Sequence, residues 1–305
     1  MNILSLILTV AGLAFFEVIN SIDNAIINAE VLSTMAPKAK RWFLSWGFLI
    51  AVFGVRGLLP WLIVWISSPS LGPGGALVAS FSSNAQVVEN IHNSSFVLLL
   101  GGGIFLVFLF LHWLFLEEKS FSFGFEKKFA LMGIWFFAAV SILLTVLVLL
   151  AINRDPLLAF GAVIGSSAFF IMHGFKQAAQ EQEKSLRTQA HTDISKILFL
   201  EIIDATFSVD GILGAFAFTL AVPLILVGNG IGAWVVRKLT LSNVERIKQY
   251  LFLKNGAMYS ILILGSIMIL DGFGVEVPSI ISPISTFVIV GYFFLKSQKP
   301  LPVSI

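Results

Sequence analysis

The chain contains no cysteine. That excludes disulfides, thiolate metal sites and thiol chemistry, and it leaves the redox compartment undetermined. Charge is scarce as well. Asp, Glu, Lys and Arg make up 12% of the 305 residues, against roughly 25% in an average soluble domain. With 57% hydrophobic residues and a mean hydropathy of +0.95, a soluble core is excluded, and an integral membrane protein with many helices is left. The net charge is only +2 and the basic residues are spread among loops, so no nucleic-acid-binding face is expected. His112 and His173 show no metal-ligand spacing to another histidine and read as interface or core residues. Gly101-Gly102-Gly103 lacks the context of a phosphate-cradling loop and reads as a packing or kink site. No Lys or Arg precedes the first apolar run, which holds Glu17 in its middle, so it reads as a retained span and not a cleaved signal peptide.

What the chain does have is long apolar segments. Nine are long enough, or nearly so, to span a bilayer: about Ile3–Ala29, Trp42–Ile66, Phe96–Leu116, Phe129–Ile152, Pro156–Phe175, Ile197–Leu220, Val222–Val236, Leu251–Leu270 and Pro278–Leu295. The basic residues test that count. With the N-terminus outside, Arg154 alone of the 19 Lys and Arg residues falls in an external loop, and Arg56 lies in the second span. The rest fall in internal loops or the C-terminal tail, as the positive-inside rule requires for nine spans, N-out and C-in. The expectation is one all-α membrane domain over 1–305, with a first repeat core at 3–66 and a second, inverted one at 197–238. An external loop is expected at 67–95 and an internal loop at 176–196.

The stretch Glu201–Gly211, EIIDATFSVDG, places Glu201, Asp204 and Asp210 inside a segment otherwise fit to cross a membrane. A carboxylate at bilayer depth costs on the order of 2.5–3.5 kcal/mol, so such groups are rarely kept without a use. The pattern occurs twice. Glu17-x5-Asp23-Asn24 sets over Asp204-x5-Asp210-Gly211, and each copy is followed by an element ending in arginine: GFLIAVFGVR, Gly47–Arg56, and GNGIGAWVVR, Gly228–Arg237. The copies start on spans one and six, so they run in opposite directions, as in the inverted repeats of secondary transporters.

Six residues of helix cover roughly 9 Å and turn about 120° from the starting face, so one ion cannot easily touch both members of a pair on one straight helix. Either the helices break near Asn20–Asn24 and Ser208–Gly211, or the partner copy supplies the second ligand. The inverted arrangement predicts Glu17 level with Asp210, and Asp23 level with Asp204, with Glu201 extending the inner cluster. Asn20, Asn24 and Asn28 recur at i, i+4 and i+8 and make a polar stripe beside Glu17. Amide and carboxylate oxygens together suit Mn²⁺, Mg²⁺ or Ca²⁺ and not soft copper or thiolate-bound zinc. Arg56 is expected deep in span two, paired with a carboxylate when no cation is bound, and Arg237 near the inner surface. The bland alternative is that the five carboxylates only pair internally. Two arginines cannot neutralise them all, so some must be protonated or bind cations.

These motifs carry a resemblance. EVINSIDNAIINAEVLSTMAP with RWFLSWGFLIAVFGVR, EIIDATFSVDGILGAFAF and LFLKNGAMYSILILG resemble the TerC superfamily of integral membrane proteins, in particular its branch of unknown function, from about Glu17 to Leu270. The resemblance implies a prokaryotic inner-membrane protein of the lysine-exporter-like transporter group, whose relatives are linked to manganese efflux, tellurite-resistance clusters and metal supply to exported enzymes. By motif match it implies ion-binding positions at Glu17, Asp23, Asn24, Glu201, Asp204 and Asp210, with Asn20, Asn28 and Arg56 in support. Gly211, Leu213 and Met258 depart from the better-known members, which puts the identity of the ion in question more than transport itself. The expected function is export of a divalent cation, foremost Mn²⁺, with proton exchange as the coupling. The cation is a substrate, with no permanently bound cofactor and no enzymatic activity. The expected partners are the lipid bilayer and the cation, with a homo-oligomer left open. The alternative is a membrane scaffold or metal-loading accessory without flux of its own. An intramembrane aspartyl protease is disfavoured, because Asp210-Gly211 lacks the Gly-x-Gly-Asp and Tyr-Asp contexts.

Overall fold

An apolar segment in lipid must satisfy its backbone N–H and C=O groups internally, and a helix does so within one segment. A computed structural model describes residues 3–47, 49–55, 57–58, 61–62, 65, 71–81, 85–119, 122–188, 192–242 and 250–298, and every regular element among them is helical. The helices are α1 (Ile3–Asn20), α2 (Ile22–Ser33), α3 (Pro37–Trp42), α4 (Gly72–Phe81), α5 (Ala85–Leu116) and α6 (Gly124–Ala130). They continue with α7 (Trp135–Ile152), α8 (Pro156–Thr188), α9 (Asp193–Phe216), α10 (Val222–Ser242), α11 (Leu253–Gly272) and α12 (Ile281–Ser297). After α3 the chain winds in π-type turns over Phe43–Gly47 and Ile50–Val55.

Among the described residues, five helical stretches are long and apolar enough to cross a membrane: Ile3–Asn20, Ser95–Leu116, Trp135–Ile152, Pro156–Ala178 and Leu253–Gly272. Helix α12 is a shorter apolar helix. Helices α9 and α10 are of similar length but carry charged residues. The chain is an all-helical, multi-pass membrane protein. Its outer surface agrees, since α7 leaves Ile142, Leu149, Leu150 and Ile152 more than half exposed, a face suited to lipid contact.

The segments differ from the expected spans in three places. The first run is divided at Ser21, although the backbone bonds Ser21 N to Glu17 O and Ala25 N to Ser21 O continue across the join. The fifth continues to Thr188, which supplies the helical part of the connector expected after it. Within 67–95, α4 and the first turns of α5 stand where an external loop was expected. Much of the second span, with Arg56, lies outside the described residues.

Glycine sets how closely the helices approach. Gly161 and Gly165 are one turn apart on α8 and press onto α5. A Cβ on Gly101 would sit 2.7 Å from Gly161 O, and one on Gly165 would overlap the Gly101 carbonyl. A Cβ on Gly103 would sit 2.8 Å from Gly265 O of α11. The three-glycine run is therefore a packing site between α5, α8 and α11, the small-residue contact by which helices associate in lipid. A second close pair joins α10 to α1, where Gly228 and Gly232 meet Leu13 and Ala14.

The α5–α8 crossing gives a direct test. Gly165→Val should destabilise the protein by about 1–3 kcal/mol or more, the usual penalty of overpacking, read as a lowered midpoint of thermal unfolding in detergent. An unchanged midpoint would contradict the crossing.

Candidate functional site

The site forms where α1 and α2, α9 and α10 meet. Two contacts fix the direction of the first two units. A Cβ on Gly211 would lie 2.7 Å from Glu17 Oε2, and Asn24 Nδ2 donates to Asp204 Oδ1 at 2.6 Å. As the residue number rises from Glu17 to Asn24, the partner falls from Gly211 to Asp204, so the units are antiparallel. Their ends are tied as well. Lys196 Nζ donates to Thr34 Oγ1 at 2.9 Å, and Ala36 N donates to Asp193 Oδ2 at 3.3 Å.

Each helix presents one polar face to this seam. On α1 and α2 it is Glu17, Ser21, Asn24 and Asn28, and on α9 it is Glu201, Asp204, Ser208 and Gly211, both at helical spacing. Ser21 Oγ donates to Glu17 Oε1 at 2.9 Å, and Ser208 Oγ donates to the Asp204 carbonyl at 2.6 Å. Glu17 is 1% exposed, Asn24 3% and Asp204 8%, so these are interior polar groups. A cavity of about 30 Å³ lies between Ser21, Asn24, Asn28, Asp204, Ala233 and Arg237, room for one water or one ion.

Several seam oxygens accept no hydrogen bond: Asn24 Oδ1, Asn28 Oδ1 and both carboxylate oxygens of Glu201. Glu201 occupies the space that Gly47 leaves, since a Cβ there would overlap Glu201 Oε1 and lie 3.3 Å from Arg237 Nη2. Arg237 donates to Phe43 O at 2.9 Å and sits 4.4 Å from the centre of the Phe43 ring. It therefore closes one end of the seam beside Glu201.

The expected residues do not all converge. Among the described residues, no three His, Asp or Glu side chains gather into one metal shell. The seam instead joins single acids to neutral donors, Asp204 to the Asn24 amide and Glu17 to the Ser21 hydroxyl. Asn20 lies beside Glu17, its Nδ2 3.5 Å from a Cβ on Gly211. Asp210 is level with Glu17 but turned about 100° from Gly211, toward α8, where it forms an ion pair with Lys176. Of the two arrangements the sequence leaves open, a break at Ser208–Gly211 is absent, because α9 runs unbroken through it. The side chain of Asp23 and all of Arg56 lie outside the described residues.

Ser21 and Ser208, in the two stretches where a helix break was one alternative, hold the same place in both copies, Glu17-x3-Ser21 and Asp204-x3-Ser208. Lys176 was missed in the sequence, because it follows the last apolar residue of its run and so reads as a loop lysine. His112 and His173 prove to be neighbours, with ring centres 4.0 Å apart. Glu126 was missed too. It is fully buried and accepts from Phe123 N, Asn255 Nδ2 and Tyr259 OH at 2.9, 3.0 and 2.7 Å, which anchors α6 to α11.

A larger cavity of about 680 Å³ opens by the α9–α10 turn and contains Arg154, Asp155, Asp271 and Glu276. Two of its carboxylates already accept backbone bonds, Asp155 from Leu157 N and Asp271 from Val277 N, both at 2.7 Å. Size favours this cavity, but the unsatisfied oxygens lie on the seam.

The family described as "Protein of unknown function (DUF475)" matches residues 22–299. The chain belongs to that family. No curated protein and no solved structure matches it. The matched range includes α2, α9 and α10, hence most of the seam, while Glu17 and Ser21 stand just before it.

The seam's central bond can be measured. A double-mutant cycle of Asn24→Ala and Asp204→Ala should return a coupling of about 1.5–3 kcal/mol, the range for a hydrogen bond to a charged group. Unfolding in detergent reads it, and a coupling near zero would remove the bond from the account.

Proposed function

We propose that this protein is a secondary transporter that moves a divalent cation, Mn²⁺ foremost, along the seam between α1–α2, α9 and α10. One observation carries the reading. Beside Asp204, buried oxygens of Asn24, Asn28 and Glu201 lack any hydrogen-bond donor, and a cavity of ion size lies among the first of them. Oxygen atoms without donors are what a hard cation requires, and an all-oxygen set of carboxylates and amides suits Mn²⁺, Mg²⁺ or Ca²⁺. Buried acceptors left empty cost stability, which argues for a ligand.

The antiparallel pairing of α1–α2 with α9 supports the reading, because inverted units with ion sites at their interface are a common transporter plan. On this proposal Asp204, Asn24 and Asn28 contact the cation first, with Glu201 and Glu17 on either side. Asp23 joins by its place in the repeat, and Arg56 is its counterpart of Arg237. Asp210 steadies α9 through Lys176. Protons are the proposed exchange partner, since a carboxylate can carry either a proton or a metal. The likeness to the TerC superfamily adds a prokaryotic inner membrane as the setting, and the distribution of Lys and Arg adds the N-out, C-in orientation.

Flux into proteoliposomes tests this, with Mn²⁺, Ca²⁺, Mg²⁺, Zn²⁺ and Ni²⁺ offered in turn across a pH gradient. Mn²⁺ flux should fall at least tenfold in Asp204→Asn, with the protein still folded. No flux of any ion from folded wild-type protein would turn the reading to a membrane scaffold or metal-loading accessory.

A further inference from the structure

Asn229 is the second residue of the GNGIGAWVVR element on α10 and belongs to neither the Asn24–Asp204 contact nor the cavity beside it. Its neighbours explain how it comes to be buried. A Cβ on Gly228 would sit 2.5 Å from Leu13 Cβ, and one on Gly232 would sit 2.6 Å from both Ala14 O and Glu17 Cβ. With no side chains in the way, α10 presses against α1 at both glycines, and the amide between them is 1% exposed.

Its direction follows from helical spacing. Ala233 and Val236 line the cavity beside Asp204, and Asn229 precedes them by four and seven residues, on the same face. It therefore stands one turn, about 6 Å, along the seam from the cavity. The α9–α10 hairpin sets its level. Arg237 is fifteen residues after the start of α10, and Glu201 is fifteen before the end of α9, and these two residues flank Gly47 together. By the same count Asn229, seven residues into α10, is level with Val209, between Ser208 and Asp210. Glu17 reaches this level from α1, against Gly211 and Gly232.

Neither Asn229 Nδ2 nor Asn229 Oδ1 has a hydrogen-bond partner. An asparagine side chain offers two donors and an acceptor oxygen, and buried amides in folded proteins are nearly always satisfied. This protein satisfies them elsewhere, as with Asn255, whose amide bonds Glu126. A leucine would fill the space on α10 with no polar atom to bury.

We propose that Asn229 is a cation-contacting residue that forms, with Glu17, a second station one turn from the Asn24–Asp204 cavity. The amide oxygen adds a hard donor to the Glu17 carboxylate without adding charge, so a divalent ion is held there but not trapped. The inference rests on the transport reading, and it adds a ligand and a second position to the path.

The test is Mn²⁺ binding to the full-length protein in detergent micelles by calorimetry, with Mg²⁺ as the comparison ion. Wild type, Asn229→Leu, Asn229→Asp and Asp204→Asn are measured side by side. Asn229→Leu should bind Mn²⁺ at least tenfold more weakly, yet unfold at an equal or higher temperature in metal-free buffer. A purely structural amide would not move the two in opposite directions. Asn229→Asp should bind Mn²⁺ at least as tightly as wild type and change the Mn²⁺/Mg²⁺ ratio. Wild-type binding in Asn229→Leu, with binding lost in Asp204→Asn, would overturn the second station and leave the transport reading intact. No binding of either ion to wild type would overturn both. Should Asn229→Leu fail to fold, an Asn229→Asp variant with unchanged affinity and ratio would overturn the proposal.

Discussion

An acidic side chain inside an apolar bundle must find its donors among the helices around it. Asn24 supplies one to Asp204 across 180 residues of chain, and the arrangement of the whole seam follows from that bond. It brings α2 against α9 in antiparallel register, which places Glu17 at Gly211 and Ser21 beside the cavity. The outer ties, Lys196 to Thr34 and Asp193 to Ala36, only fit the same register. A shift of one residue would rotate each polar face by about 100° and turn the carboxylates toward apolar neighbours.

The glycines fall into two kinds. At Gly101, Gly161, Gly165, Gly103 and Gly265 the space left by the missing side chain is taken by backbone, so those residues set helix spacing. At Gly47 and Gly211 it is taken by Glu201 and Glu17, and at Gly232 by Glu17 together with the Ala14 carbonyl. These are seats for acidic side chains, each provided by a different helix from the one that carries the acid. The buried carboxylates divide in the same way. Glu126 is saturated with donors from Phe123, Asn255 and Tyr259 and has no capacity for a ligand. Glu201 accepts none. In one protein, then, a structural acid and an acid with open coordination can be told apart by their donors alone.

Much of this was legible in the sequence, and the physical reason is periodicity. Apolar runs of span length announce helices, and the repeated acid pairs announce two related units. Opposite chain direction then dictates that Glu17 meets the end of the Asp210 segment, as the contact with Gly211 shows. Side-chain azimuth was harder. Six residues along a helix separate Asp204 from Asp210 by a third of a turn, and only the placement of α8 decides which neighbour Asp210 faces. Hydropathy also misplaced Lys176. A run ends where polar residues begin, but α8 continues to Thr188, and a lysine one residue past Phe175 stays in the bundle. Asn229 was visible within a motif already singled out, yet burial without a partner is a property of the packed chain and not of the letter.

The Lys176–Asp210 pair fastens α9 to the rest of the bundle. The cation comes from α8, outside both repeat units, and each side chain of the pair is largely buried. Removing one partner of a buried pair typically costs about 3–5 kcal/mol, because the charge left behind has no water to receive it. Helix α9 is thereby held to α8, which in turn is locked to α5 through Gly101, Gly161 and Gly165. His173, three residues before Lys176 on the same face, meets His112 of α5 and extends that attachment. The seam therefore has one wall fastened to the α5 core by an ion pair and by backbone contact. Its other wall, α1 and α2, meets α9 through an apolar cluster of Val31, Leu32, Phe199, Leu200 and Ile203 and, on the seam, through hydrogen bonds between side chains and carboxylates seated in glycine gaps. The seam contacts are the ones that can be exchanged for contacts with a ligand, because they are made by side-chain oxygens.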